Sequence, residues 1–370
     1  MNISRKILSP LLVPLSLLYG FIVFIRNKLY DYKILRSHSF EKPVISVGNI
    51  TVGGTGKTPH IEYIANLLKD EFQVACLSRG YKRTSKGFQL AGDESSAESI
   101  GDEPLQIQRK FPEVQVAVDA DRVAGIRKLL EKRPGLDAIL LDDAYQHRKV
   151  YAPLSILLID YNRPIDKDFM LPFGDLREQN YEKRRANIII ISKAPKDLQP
   201  IDRRILLTDL KPYPYQSVFF TYMDYGMPHS LFYEEGSMLD TFLETDINDK
   251  EIILLTGIAN STPLANYLQE TYTKNIRQLK YPDHYRYEDK DIKKIETIFN
   301  QSTKSEKIII TTEKDAMRLQ KFTNIATPLK KAIFYIPIEV KFLNNRTDNF
   351  NQQIIDYVRK NKKHSELYHR

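Results

Sequence analysis

Cys76 is the only cysteine in 370 residues, so neither an internal disulfide nor a zinc site of several thiolates can form. A reducing cytoplasm suits such a chain. Low-complexity tracts and internal repeats are also missing, which excludes solenoid and fibrous architectures. Hydrophobic residues make up 42% and charged residues 28%, a balance that supports a folded core and limits disorder to the ends. The length exceeds one small core and predicts two packed domains. Acidic residues are in deficit. The net charge of +8 favours anionic partners, whether nucleic acid, lipid headgroups or phosphorylated substrates, and does not choose among them.

Charge is absent from residues 7–25, "ILSPLLVPLSLLYGFIVFI", a run flanked by Arg5, Lys6, Arg26 and Lys28. Nineteen residues approach the length of a bilayer-spanning helix. Pro10, Pro14, Ser9, Ser16 and Gly20 interrupt the run, and its basic residues lie at both ends, so a monotopic segment at an anionic lipid surface is preferred to a span. No small-residue cleavage site follows, which argues against a signal peptide. A buried core helix is the bland alternative.

Beyond this segment short β-rich runs alternate with amphipathic stretches, the pattern of a parallel α/β sheet. "PVISVGN" reads as the first strand and "HIEYIANLLKDE" as the next helix, followed by strands in "QVACLSRGY", "VQVAVDADR", "DAILLDDAYQH", "LSILLIDYN" and "ANIIIISK". Each strand ends in polar residues, where ligands of such sheets bind. Residues 202–249 are irregular and hold the domain junction, and a second alternating set then runs from "EIILLTGIANS" to "AIFYIPIEVKF". The expected division is a membrane-associated helix over residues 1–30, a nucleotide-binding domain over 31–210 and a second α/β domain, linker included, over 211–370.

"TVGGTGKT" follows the first strand and opens a helix. Gly53, Gly54 and Gly56 let backbone N–H groups approach a phosphate, Lys57 supplies a cation for the β and γ phosphates, and Thr58 offers a hydroxyl to Mg²⁺. Thr51 occupies the position where the strict pattern has glycine. The loop Thr51, Val52, Gly53, Gly54, Thr55, Gly56, Lys57 and Thr58 is the candidate nucleotide site. A carboxylate closing a hydrophobic strand completes such sites by holding Mg²⁺, and Asp142 and Asp143 are placed for it, with helix capping the alternative. "IIIISKAP" has Pro195 where a guanine-binding signature requires aspartate, which points to ATP over GTP. Partition-type ATPases carry a lysine where this chain has Val52. In "IGDEP", Asp102 and Glu103 suit a helix start as well as chemistry. Arg177 and Glu178 stand in the glycine and proline loop "LPFGDLRE", where an arginine could clamp a phosphate. Asp283 and His284 share a proline turn in "YPDHYRY".

Taken in order, "VGNITVGGTGKTP", "LSRGYKR", "GDEP", "DDAYQHR", "LPFGDLRE", "TGIANS", "PDHYRY" and "TTEKDAMRL" resemble the tetraacyldisaccharide 4'-kinase family over roughly residues 1–340. The resemblance implies two α/β/α domains of the P-loop NTPase type, joined by a β-stranded linker with the active site between them. It implies transfer of the γ-phosphoryl of ATP to the 4'-hydroxyl of a tetraacyldisaccharide 1-phosphate at the cytoplasmic face of the inner membrane, giving lipid IVA. Carried onto this chain, it gives Lys57 and the loop to nucleotide, and Thr58, Asp142, Asp143 and Glu178 to Mg²⁺. Asp102 becomes the base, His284 its helper, and Arg177 a phosphate contact. Ala144, Tyr145 and Tyr285 depart from the family's usual residues. Two rivals are a membrane-attached nucleotide switch, which lacks a base-recognition signature, and a nucleic-acid ATPase, for which no binding module is present. "TTEKDAMRL" has no role in any of these readings.

Overall fold

The computed structural model describes residue 5 and residues 7–232, 238–244, 246 and 249–368. Its first long element is helix α1 (Ser9–Asp31), which tolerates Pro10 in its first turn and has Pro14 inside it. Among the described residues it is the one helix long and apolar enough to cross a membrane, with a mean hydropathy of 1.7 over its best window. Its buried positions are Ser16, Gly20, Val23 and Asn27, whereas Leu11, Leu17, Leu18, Phe21, Ile22 and Ile25 are exposed. The helix therefore turns its small and polar stripe inward. Ser16 Oγ donates to the Met170 carbonyl at 2.7 Å, Gln179 Nε2 to the Gly20 carbonyl at 2.6 Å, and Arg148 and Arg184 both pair with Asp31.

The chain forms two compact units: residues Met1–Met223 with Val340–Arg370, and residues Asp224–Glu339. In the first, continuous apolar runs give strands buried on both faces, as parallel sheets require. They are β1 (Val44–Gly48), β2 (Val74–Ser78), β3 (Gln89–Leu90), β4 (Gln115–Val118), β5 (Ala138–Asp142), β6 (Leu154–Asp160), β7 (Ile188–Ser192) and β8 (Ser217–Tyr225). Its helices include α2 (Lys57–Leu68), α3 (Asp102–Lys110), α4 (Arg122–Lys132) and α5 (Pro200–Leu210). The sheet order is β14-β8-β7-β6-β1-β5-β2-β4-β3, where the edge strand β14 is Ile338–Phe342, with β3 antiparallel to β4 and the strands from β7 to β4 parallel. Alternate residues of β1 serve opposite layers: Ile45 and Val47 pack with α2, and Val44 with α4. Val47 pairs with Asp142, which sets the end of β5 beside the loop leaving β1.

The second unit holds β9 (His229–Ser230), β10 (Lys250–Thr256), α6 (Thr262–Thr271), β11 (Ile276–Lys280), α7 (Asp289–Gln301), β12 (Glu306–Thr312), α8 (Glu313–Leu319) and β13 (Ile333–Ile336). Its sheet runs β11-β10-β12-β13-β9, parallel except for β9, with apolar layers on both faces. Both units are thus α/β/α.

Strand β14 (Ile338–Phe342) carries the chain back to the first unit, which helix α9 (Thr347–Tyr368) completes. Chain order alone had kept residues up to 370 with the second domain. The correction has a simple cause: Phe350, Ile354 and Val358 recur at four-residue spacing and are buried among Ile61, Ile64 and Leu68 of α2. Arg359 adds a bidentate pair to Glu71, both contacts at 2.7 Å.

Candidate active site

The glycine-rich loop joins β1 to α2 and ends at Gly56, whose φ of +85° only glycine adopts cheaply. A Cβ there would also lie 2.5 Å from Met223 Cε. The loop is braced from several sides. Asn49 Nδ2 donates to Thr55 Oγ1 at 2.9 Å, Ser192 Oγ to the Thr55 carbonyl at 2.8 Å, and Arg163 Nη1 to the Val52 carbonyl at 3.2 Å. Lys193 donates to the Gly54 carbonyl and, at 2.9 Å, to Asp160. With its carbonyls engaged on this side, the loop leaves the α2 N-terminus as an anion site. His60 Nδ1 lies 2.7 Å from the Gly56 carbonyl and Nε2 3.0 Å from Thr221 Oγ1; burial lowers its pKa to about 4.

Asp142 ends β5 and Asp143 follows it, in different states. Asp142 is buried, and its Oδ1 has no hydrogen-bond partner among the described residues. Burial first, then the charges of Glu103 and Asp143, push its pKa up to about 7 against the opposing pull of Lys57 and Arg122. Asp143, at φ +47°, faces two cations: Lys57 Nζ lies 3.7 Å from Oδ1 and Arg177 Nη1 3.3 Å from Oδ2. Arg177 is carried there because its loop pairs with the phosphate loop, the Arg177 amide donating to Ile50 and the Val52 amide to Asp175.

Asp102 and Glu103 open α3, and the charge of Glu103 is one cause of the raised Asp142 pKa. Gly101 before them has φ +98°, and a Cβ would approach the Tyr81 carbonyl to 3.2 Å. The glycine of "GDEP" is therefore a backbone requirement. Glu178 has other partners. Its carboxylate is fully buried, pairs with Arg185 and accepts from Asn27 Nδ2 of α1 at 3.3 Å. It fastens the arginine loop to α1, and binding a metal would require it to leave these partners. His284 belongs to the second unit, in the loop after β11, at φ +57° with its amide donating to Gly257.

Among the described residues no three His, Cys, Asp or Glu side chains converge as a resident metal cage. The donor set fits a cation that brings most of its ligands as phosphate and water oxygens and takes one or two from protein, the usual habit of Mg²⁺. The unpartnered oxygen of Asp142 is the observation in favour of that fit.

Three residues that sequence reasoning passed over belong here. Arg122 is buried and donates to the Asp142 carbonyl at 3.4 Å, a neighbour that "VDADR" by itself does not announce. Lys193, noted only as part of a failed guanine signature, braces the loop instead. His147 has a buried Nε2 without a partner among the described residues, and burial followed by Arg122 lowers its pKa to about 4.

A family model described as tetraacyldisaccharide-1-P 4'-kinase matches residues 8–359. The tetraacyldisaccharide 4'-kinase of Bacteroides fragilis is 48% identical over 357 residues, covering 96% of this chain and 95% of that protein. That of Flavobacterium johnsoniae is 44% identical over 361 residues, covering 98% and 99%. A crystal structure of LpxK from Aquifex aeolicus in complex with ATP superposes with a TM-score of 0.73 at 30% identity, covering 96% of this chain and 99% of that one.

Proposed function

Because this chain belongs to the tetraacyldisaccharide-1-P 4'-kinase family, whose activity is transfer of the γ-phosphoryl of ATP to the 4'-hydroxyl of its lipid disaccharide, we propose how its residues divide that task. Backbone amides from Gly53 to Thr58 and the Lys57 ammonium take the nucleotide phosphates. Lys57 and Arg177 both face Asp143, so an incoming triphosphate finds two cations already gathered by one carboxylate. Thr58 and Asp142 would hold Mg²⁺, which when bound would supply charge neutralisation at the phosphate oxygens. As the 4'-oxygen bonds to the γ-phosphorus and the bond to the ADP oxygen breaks, Asp102 accepts the hydroxyl proton, with His284 assisting. Glu178 acts through the loop, keeping neighbouring Arg177 in place. The observation that carries this reading is the meeting of a braced phosphate loop and the unpartnered Asp142 at the ends of adjacent strands.

The lipid acceptor meets the enzyme at a bilayer surface, and α1 supports that. A helix with polar atoms toward protein and apolar side chains outward is unfavourable in water and suited to the acyl boundary. Its bonds to the folded unit extend from Ser16 to Asp31, so it lies on the membrane as a monotopic anchor at the cytoplasmic face, where ATP is available. Nucleic acid has no part in this reading.

Transfer of ³²P from labelled ATP to purified tetraacyldisaccharide 1-phosphate in detergent micelles tests the assignment. Lys57→Ala should lose labelled lipid by at least ~10²-fold, as removal of one preorganised charge contact does. Parent protein that hydrolyses ATP without labelling lipid would favour the nucleotide switch.

A further inference from the structure

The run "TTEKDAMRL" folds as the end of β12 and helix α8, and three of its buried polar residues, Thr312, Asp315 and Arg318, gather at the histidine loop of the same unit. Asp315 is fully buried and accepts from the Gly257 amide at 2.9 Å, Thr312 Oγ1 at 2.8 Å, Tyr287 Oη at 3.2 Å and Arg318 Nη1 at 2.8 Å. Four donors around one carboxylate leave it little freedom. Arg318, itself buried, also donates through Nη1 to the Gly257 carbonyl at 3.2 Å, and its Nη2 lies 3.3 Å from His284 Nδ1. The same Gly257 carbonyl accepts the His284 amide at 3.0 Å. Gly257 has to be glycine, since a Cβ would stand 2.9 Å from Asp315 Oδ1. One glycine, one aspartate and one arginine thus hold both the backbone and the ring of His284.

A guanidinium has five N–H donors and no acceptor, so the contact with Nδ1 exists only if that nitrogen accepts. The ring proton of the imidazole then sits on Nε2. His284 also carries a left-handed backbone that a residue with a Cβ adopts at some cost and keeps only where its surroundings fix it. We propose that Arg318, clamped by Asp315, is a positioning residue for phosphoryl transfer: it fixes the His284 ring and its Nε2–H tautomer, so that the protonated nitrogen is the one offered to the reaction. This rests on the assisting role proposed for His284. It also gives "TTEKDAMRL" and the glycine of "TGIANS" a shared purpose, the mounting of the "PDHYRY" loop.

The tautomer can be read in the unmutated full chain by ¹⁵N-resolved NMR of the histidine rings, with the His284 signals assigned by their loss in His284→Ala. The expected spectrum shows Nδ1 as an acceptor nitrogen and Nε2 as the protonated one; a proton on Nδ1 would overturn the proposal without any arginine variant being needed. Arg318→Met and the milder Arg318→Lys should then mix the tautomers. They should also lower kcat about tenfold or more, part of the roughly 10²–10⁴-fold that positioned proton transfer supplies, while the KM for ATP stays unchanged. A folded Arg318→Met enzyme with parental kcat, beside an impaired His284→Ala, would refute the positioning role alone. Parental turnover in His284→Ala would instead remove the assisting role on which it rests.

Discussion

Asp142 keeps its proton to about pH 7 because it is buried close to Glu103 and Asp143. A cation can be ligated only by the ionised form, so binding must expel that proton. Calorimetry of Mg²⁺–nucleotide binding at pH 6, in two buffers of different ionisation enthalpy, should show release of about one proton, fading above pH 7 and absent in Asp142→Asn. No release at pH 6 in the parent would remove Asp142 from the cation site. Stability against pH is a poorer probe. An acid raised to about 7 stabilises the fold fully below its unfolded value and loses this as pH rises through 7, whereas His60, lowered to about 4, makes the fold less stable as pH falls from about 6.5 toward 4. The two trends oppose each other over one window. At this scale the acids were legible in the sequence because they close an apolar strand, and Lys57 and Thr58 because the loop chemistry dictates them. Arg122 and Lys193 were not, since nothing local in "VDADR" or "ISK" says which strand end lies next to which; only the sheet order does.

Among the elements, α1 shows what composition can and cannot convey. Its apolar character and basic flanks predict a lipid surface; its inward stripe of Ser16, Gly20 and Asn27 is invisible until the helix has a partner. A purely lipid-facing α1 would imply that removing residues 1–26 harms lipid use far more than nucleotide binding. The structure changes the choice of experiment, because Tyr19 Oη donates to the Arg177 carbonyl at 3.1 Å and Arg26 to the Gln146 carbonyl. Deletion would strip support from the arginine loop as well as the lipid-facing surface. Outward substitutions separate the two. Leu18→Glu and Ile22→Glu, each more than half exposed, should lower sedimentation with anionic vesicles by about tenfold apiece, the scale set by burying one aliphatic side chain, and leave ATP affinity unchanged. Vesicle binding equal to the parent's would show that this face does not meet lipid. Helix α9 is the converse case: its period was plain in the sequence, but the unit it joins depends on a long-range return through β14 that periodicity does not encode.

For the whole molecule, the alternation of strands and helices was enough to foresee two α/β units, and the order of short motifs was enough to foresee the family, whose resemblance implied the α/β/α layering. The sequence could not supply the register that sets Asp142 against Val47, or the clamp that makes a functional loop of "PDHYRY" and "TTEKDAMRL" together. In the proposed mechanism the loop and strand ends of the first unit hold the nucleotide and Asp102 deprotonates the acceptor. The most direct test is single-turnover transfer from bound ATP to tetraacyldisaccharide 1-phosphate by Asp102→Asn, with ATP affinity measured on the same preparation. The account predicts unchanged ATP binding and a transfer rate lower by roughly 10²-fold or more. Transfer at the parental rate would contradict it.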